Sequence, residues 1–171
     1  MWQKEALAAS TEFVGNVFLF ILKEDDTMYS VIEVAKFVIS YCMEMGTPIS
    51  NLHLQKILYY LQVFCARQGY DLFEEDIYAW QHGPVVPEAY YMFSGYGASK
   101  IQNTYLTEIS QAVQANILPI IERLRTVSPW TLVDMTHKPG LPWDQVYNGK
   151  INSTGVISKE LLRMDDTDLG V

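Results

Sequence analysis

Three histidines, His53, His82 and His137, and an acidic run, Glu74-Glu75-Asp76, are the side chains best suited to acid–base chemistry in this sequence. Catalysis needs such groups set as a nucleophile with its base, an acid/base pair or a metal set. The spacing provides none of these. No His-Glu-x-x-His pattern is present, and no histidine is paired with a cysteine at ligand spacing, so no metal and no cofactor is expected. Three adjacent acids in a loop do not converge on one cleft, and they read as solvated surface. A Gly-x-Ser-x-Gly elbow, a P-loop and a dinucleotide fingerprint are all missing. Gly95 and Gly97 lack the strand before and the helix after that would make them a phosphate loop. Cys42 and Cys65 fall on apolar helix faces and read as reduced core thiols. His53, at the opening of a helix, is expected to be exposed. The residues therefore point away from an enzyme. The competing enzyme hypothesis would use His82 or His137 with the acidic loop.

What remains is aromatic richness, 13% of the chain, with 11 tyrosines and four tryptophans. Tyr and Trp join apolar area to a polar handle and concentrate at interface hot spots. Trp80, Trp130 and Trp143 are expected to fill the core. The pairs Tyr59-Tyr60 and Tyr90-Tyr91 cannot both face inward on a helix, where neighbours diverge by about 100°. Some of them belong at a rim or a partner surface, as in a binding module.

The elements that must position these residues are mostly helical. Apolar residues at spacings of three and four predict helices over Tyr29–Met45 and Asn51–Gln68, the second capped by Ser50 or Asn51. The short connection at Gly46-Thr47-Pro48 makes them an antiparallel pair. Ile77, Tyr78 and Trp80 favour an extended segment, and Gly83-Pro84 is read as the turn after it. Pro87 opens a short helix through Ser94. Thr107 is expected to cap a helix to about Arg125, kinked or broken at Pro119. Ser128-Pro129 starts another, ending near His137, and "KPGLPW" reads as a turn. Ser158 caps a last helix over Lys159–Met164, and the tail "DDTDLGV" is expected to fray. The fold class is mainly α: a compact single-domain helical bundle with a small two- or three-stranded β element near residues 76–86.

The chain has 171 residues, one domain's worth, with net charge −8 and a pI near 4.8. Phosphate-backbone affinity comes from cations that displace counterions, so this balance disfavours nucleic acid as a partner. The apolar run Val17–Leu22 is far short of the roughly 20 residues that span a bilayer, and "KEDD" follows it with no small-residue cleavage site. No membrane association and a cytoplasmic location are expected. Residues 1–27 read as a helical appendage packed on the domain; a partner-binding segment, or sequence upstream of a natural start at Met28, stay open as alternatives.

Two stretches carry a resemblance. "NLHLQKILYYLQ" at Asn51–Gln62 and "AWQHGPVVPEAYYMFSGYG" at Ala79–Gly97 closely resemble the Panacea domain, a family common in phage and prophage neighbourhoods. The matching residues are Leu54, Lys56, Ile57, Leu58, Tyr59 and Tyr60, then Ala79, Trp80, Gly83, Pro84, Val85, Val86, Pro87 and Tyr90. A third element, "LVDMTHKPGLPW", supplies Leu132, His137, Pro142 and Trp143. The resemblance covers residues 28–164, leaving 1–27 as the appendage and 165–171 as the tail; a family Tyr-Phe after the last helix is missing. It implies an antitoxin that neutralises a cognate toxin encoded next to it. A SocA-like branch of the family implies the alternative of an adaptor delivering the toxin to a cytoplasmic AAA+ protease. A phage-encoded inhibitor of a host defence protein is a further reading. Gln81, His82, Tyr90 and Tyr91 are taken as partner contacts beside the motif. Lys56, among apolar neighbours, is expected either to snorkel or to pair with an acid such as Glu88.

Overall fold

The computed structural model describes residues 28–151 and 153–170. The expected appendage at residues 1–27 lies outside them. Among the described residues the chain forms α1 (Val31–Glu44), α2 (Asn51–Arg67), β1 (Ile77–Trp80), β2 (Gly83–Val85), α3 (Pro87–Met92), a 3-10 turn (Ser94–Tyr96), α4 (Gln111–Leu124), α5 (Pro129–Thr136), α6 (Pro142–Val146), β3 (Val156–Ile157) and α7 (Lys159–Met164). The architecture is mainly helical, with a three-stranded sheet in the order β2-β1-β3.

Serines set many of these boundaries. Ser30, Ser50, Ser110, Ser128 and Ser158 each accept a hydrogen bond from the N–H three residues on, at the starts of α1, α2, α4, α5 and α7. Each satisfies one donor that the first helical turn leaves orphaned. The first turn of α1 gains a distant anion as well. Both carboxylate oxygens of Glu75 accept from Val31 N at 3.0 Å, a favourable charge at a helix N-terminus. The middle member of the acidic run is thus anchored, while Glu74 and Asp76 are exposed.

The second helix, α2, is the centre of the molecule. It packs against α1, α3, α4, α5, α7 and β2, and fourteen of its residues are buried. Because it is enclosed on all sides, its polar residues meet protein instead of water. His53 is buried, not exposed, and its Nε2 lies 2.9 Å from the Leu124 carbonyl. Burial holds its pKa below the ordinary value. Tyr59 and Tyr60 are both buried as well, so neither sits at a rim. Gln62 accepts from Leu72 N and Phe73 N and donates to Phe73 O at 3.1 Å, fixing the chain after the helix.

In the sheet, β1 is central and antiparallel to both neighbours. Tyr78 faces Val85 and Trp80 faces Gly83, while Ile77 faces Ile157. This register makes Gln81-His82 the hairpin turn; Gly83 and Pro84 belong to β2. Pro84 fits there because the other side of β2 meets α2 side chains instead of another strand.

Three further boundaries differ from expectation. The fourth helix starts after Ser110 rather than Thr107, and Pro119 does not break it. The N–H that Pro119 lacks would have met the carbonyl of Ala115; both residues are exposed, so water can take that carbonyl. "KPGLPW" is more than a turn, since Pro142 opens the short helix α6. The tail does not fray: Asp165, Thr167 and Leu169 are buried in alternation with exposed neighbours, as in an extended strap.

Candidate functional site

Three side chains from the first turn and a half of α2 reach the segment Pro84–Tyr90. Asn51 Nδ2 donates to Tyr90 O at 2.9 Å. Gln55 accepts from Val86 N at 2.9 Å through Oε1 and donates to Asn51 Oδ1 at 3.2 Å. Lys56 Nζ donates to Pro84 O at 2.7 Å. These bonds give β2 and the entry of α3 the partners that another strand would have supplied.

Lys56 is fully buried and neither snorkels nor meets Glu88, which is exposed. Its partner is a carbonyl, so burial is uncompensated by charge and drives its pKa well down. The space for its ammonium group is made by Gly83. A β-carbon there would lie 2.7 Å from Lys56 Nζ and 2.8 Å from Thr136 Oγ1, and the glycine has φ +97°. The lysine, the glycine and the following proline are one structural unit.

This unit predicts a pH dependence. A lysine whose folded pKa is lowered is protonated more readily in the unfolded chain, so its contribution to stability is complete only above the ordinary 10.5 and is lost as pH falls. Burial pushes Cys42 up to about 11 and Cys65 up to about 12. Those thiols act the other way, removing stability above their ordinary value of 9.0. Lys56→Met retains both thiols. The gap in Tm between wild type and this variant is therefore expected to shift steadily in favour of wild type from neutral pH upward. A gap constant with pH would contradict a depressed lysine.

His137 and Trp143 brace the other side of β1. Their rings stack at 3.6 Å and 12°, and Trp143 stacks in turn on Tyr147 at 4.5 Å. Trp143 Nε1 donates to Trp80 O at 2.8 Å, tying α6 to the strand end. Burial first, and then the charge of Lys56, hold His137 below its ordinary pKa.

On the outer side of the hairpin lies a groove of about 410 Å³. Trp80 and Tyr90 form one wall, their rings 5.2 Å apart and edge-on, with Tyr91 beyond at 6.2 Å from Trp80. His82 and Trp130 form the other, 5.6 Å apart. Leu52, Val85 and Ala98 contribute apolar surface between them. Gln81 and His82, at the turn, are exposed. Trp130 is not core: the cap-and-proline start of α5 places it on the outer face, 57% exposed.

The expected site residues therefore divide. Lys56, Tyr59, Tyr60, Gly83, Pro84 and Trp143 are buried, His137 and Pro87 are half-buried, and Trp80, Gln81, His82, Tyr90 and Tyr91 lie at the groove or its rim. The acidic run precedes β1 and His82 follows it, so the two occupy opposite ends of that strand. Among the described residues no group of three or more His, Cys, Asp and Glu side chains could hold a metal ion. No helix among them is long and apolar enough to cross a membrane.

A family model described as "Antitoxin SocA-like, Panacea domain" matches residues 54–144. The chain belongs to this family. The match takes in the buried lysine, the hairpin, the groove walls and the stacked His137 and Trp143. A curated relative, "Antitoxin SocA" of Caulobacter vibrioides (strain NA1000 / CB15N), is 28% identical over 149 residues, covering 79% of each chain. No solved structure matches.

The geometry explains why the Panacea pattern has this form: Lys56 and Gly83-Pro84 join the hairpin to α2, and Trp143 joins it to α6. Asn51, Gln55, Thr136 and Trp130 complete the arrangement and were missed. The first two sit four apart at the start of a helix, a spacing that puts two amides on one face; that was the available signal. Nothing local marks Thr136 or Trp130.

Proposed function

We propose that this protein is an antitoxin that neutralises a cognate toxin by binding it directly. The observation that carries this reading is membership of the Antitoxin SocA-like, Panacea domain family, with the match spanning the whole hairpin unit. The similarity to the protein named Antitoxin SocA supports it. The toxin would be the product of a neighbouring gene, the protein would act in the cytoplasm, and it would use no catalytic step. The net charge of −8 favours a basic protein partner over nucleic acid.

Co-expression with the adjacent open reading frame tests the reading. Restored growth with a stable, co-purifying complex is the expected result. Restored growth with loss of the neighbouring protein, dependent on a host AAA+ protease, would replace direct neutralisation by delivery. No rescue and no complex would overturn the pairing.

A further inference from the structure

The groove between the hairpin turn, α3 and α5 has no Asp, Glu, Lys or Arg among its thirteen lining residues, in a chain that is 19% charged. Burying an ion against such a lining leaves it uncompensated, at a cost of several kcal/mol. A phosphate, a nucleotide or a lysine side chain is thus a poor occupant. A bulky neutral group fits the aromatic walls.

We propose that this groove is the seat of the partner protein, and that it takes a segment presenting a large uncharged aromatic or aliphatic anchor. This rests on the antitoxin reading above and names the surface and the chemistry of the contact. The volume, about 410 Å³, would also admit a small molecule. The rim decides between them. Tyr91 is 62% exposed, Trp130 57% and Ile151 69%. A small molecule within the groove would leave this apolar margin wet, whereas a protein segment covers it. Charge-poor centres rich in Trp and Tyr are the composition of interface hot spots.

The site is also built in advance. Asn51 and Gln55 line the groove and are tied to Tyr90 O and Val86 N. The wall carrying Tyr90 is therefore held by α2, and little ordering is left to be done on binding. The residues flanking the lining in sequence carry both signs, Glu88 and Asp134 as well as Lys100 and Lys150, so no single local charge selects the anchor. The overall charge of −8 acts at a distance instead. It attracts a basic partner, while the neutral groove retains it. Raising the salt is expected to slow association and leave dissociation nearly unchanged.

Two measurements on the full chain test the proposal. In the first, the indole N–H resonances of Trp80 and Trp130 are followed by NMR during titration with N-acetyltryptophanamide, Nα-acetyl-lysinamide, AMP and inorganic phosphate. Shifts with the tryptophan amide alone are expected. No shift with it, or stronger shifts with AMP, phosphate or the lysine amide, would overturn the groove's chemistry. In the second, the product of the adjacent open reading frame is bound to wild type, Trp130→Ala, Tyr91→Ala and a control, Leu106→Ala, whose side chain is fully exposed on the segment after the groove. Each groove variant is expected to weaken Kd by at least about 30-fold with Tm unchanged, and the control not at all. Equal binding by all four would place the interface elsewhere while leaving the antitoxin reading intact. A neighbour that fails to bind wild type would sink that reading, and the amide titration would still decide the chemistry of the groove.

Discussion

Gly83→Ala is expected to lower stability by on the order of 3 kcal/mol, from left-handed strain and overpacking together. For a chain of this size that is a drop of about 10 °C in Tm. The new β-carbon would meet Lys56 Nζ at 2.7 Å and Thr136 Oγ1 at 2.8 Å. The lysine end is flexible in principle, but here it is fully buried and bonded to Pro84 O. Moving it leaves a buried amine and a buried carbonyl without partners. Gly140→Ala is the matched control. Its φ is +82° and nothing lies within 4 Å of the added atom, so it carries backbone strain alone. Thermal unfolding of both variants separates the two effects. Equal losses would mean that the space beside Lys56 is not the constraint.

Asp165→Ala is expected to cost about 3 kcal/mol, the upper end for leaving a buried donor without its acceptor, here the Tyr59 hydroxyl. The carboxylate is 1% exposed. It accepts from Tyr59 OH at 2.5 Å and from Thr167 N at 2.9 Å, and lies 3.5 Å from Arg67 Nη2. Arg67 also donates to the carbonyls of Asp165 and Thr167. Burial, and then this carboxylate, push the Tyr59 hydroxyl well up, so it remains a donor throughout the physiological range. Removing Asp165 strands the tyrosine hydroxyl and loosens the arginine together. Asp165→Asn keeps an acceptor and the shape, and should lose less. Denaturant midpoints and proteolysis of the tail measure both. A loss under 0.5 kcal/mol, the scale of an ordinary surface change, would return residues 165–169 to the status of a loose end.

Much of the helical framework was legible because its signals are local. Ser128-Pro129 and Ser158 mark helix starts through the cap hydroxyl and the missing proline N–H, and both starts stand where they were read. The hairpin strand Ile77–Trp80 followed from its β-branched and aromatic residues. The errors share a cause in sequence distance. His53 was read as exposed because a helix start usually is; its covering carbonyl belongs to Leu124, 71 residues on. Tyr59 and Tyr60 were not both expected inside, because the acceptor that keeps Tyr59 satisfied there, Asp165, lies 106 residues away. Lys56 was expected to snorkel or to pair with an acid, since periodicity says only that a cation lies among apolar neighbours, not that a carbonyl 28 residues later will hold it. The groove was half visible: Trp80, His82 and Tyr90 are close in sequence, but Trp130 and Ile151 arrive from separate segments.

The tail strap also bears on the time course of synthesis. The partners on α2, Tyr59 and Arg67, are made about a hundred residues before Asp165. At about 5–20 residues per second, roughly 5–20 s pass between them on the ribosome. Throughout that interval the central helix can gather α1, the hairpin and α4, but the acceptor for Tyr59 does not yet exist. A nascent chain is therefore incomplete at its centre until Asp165 has emerged, and a chain released before that point lacks the group that its middle was built around.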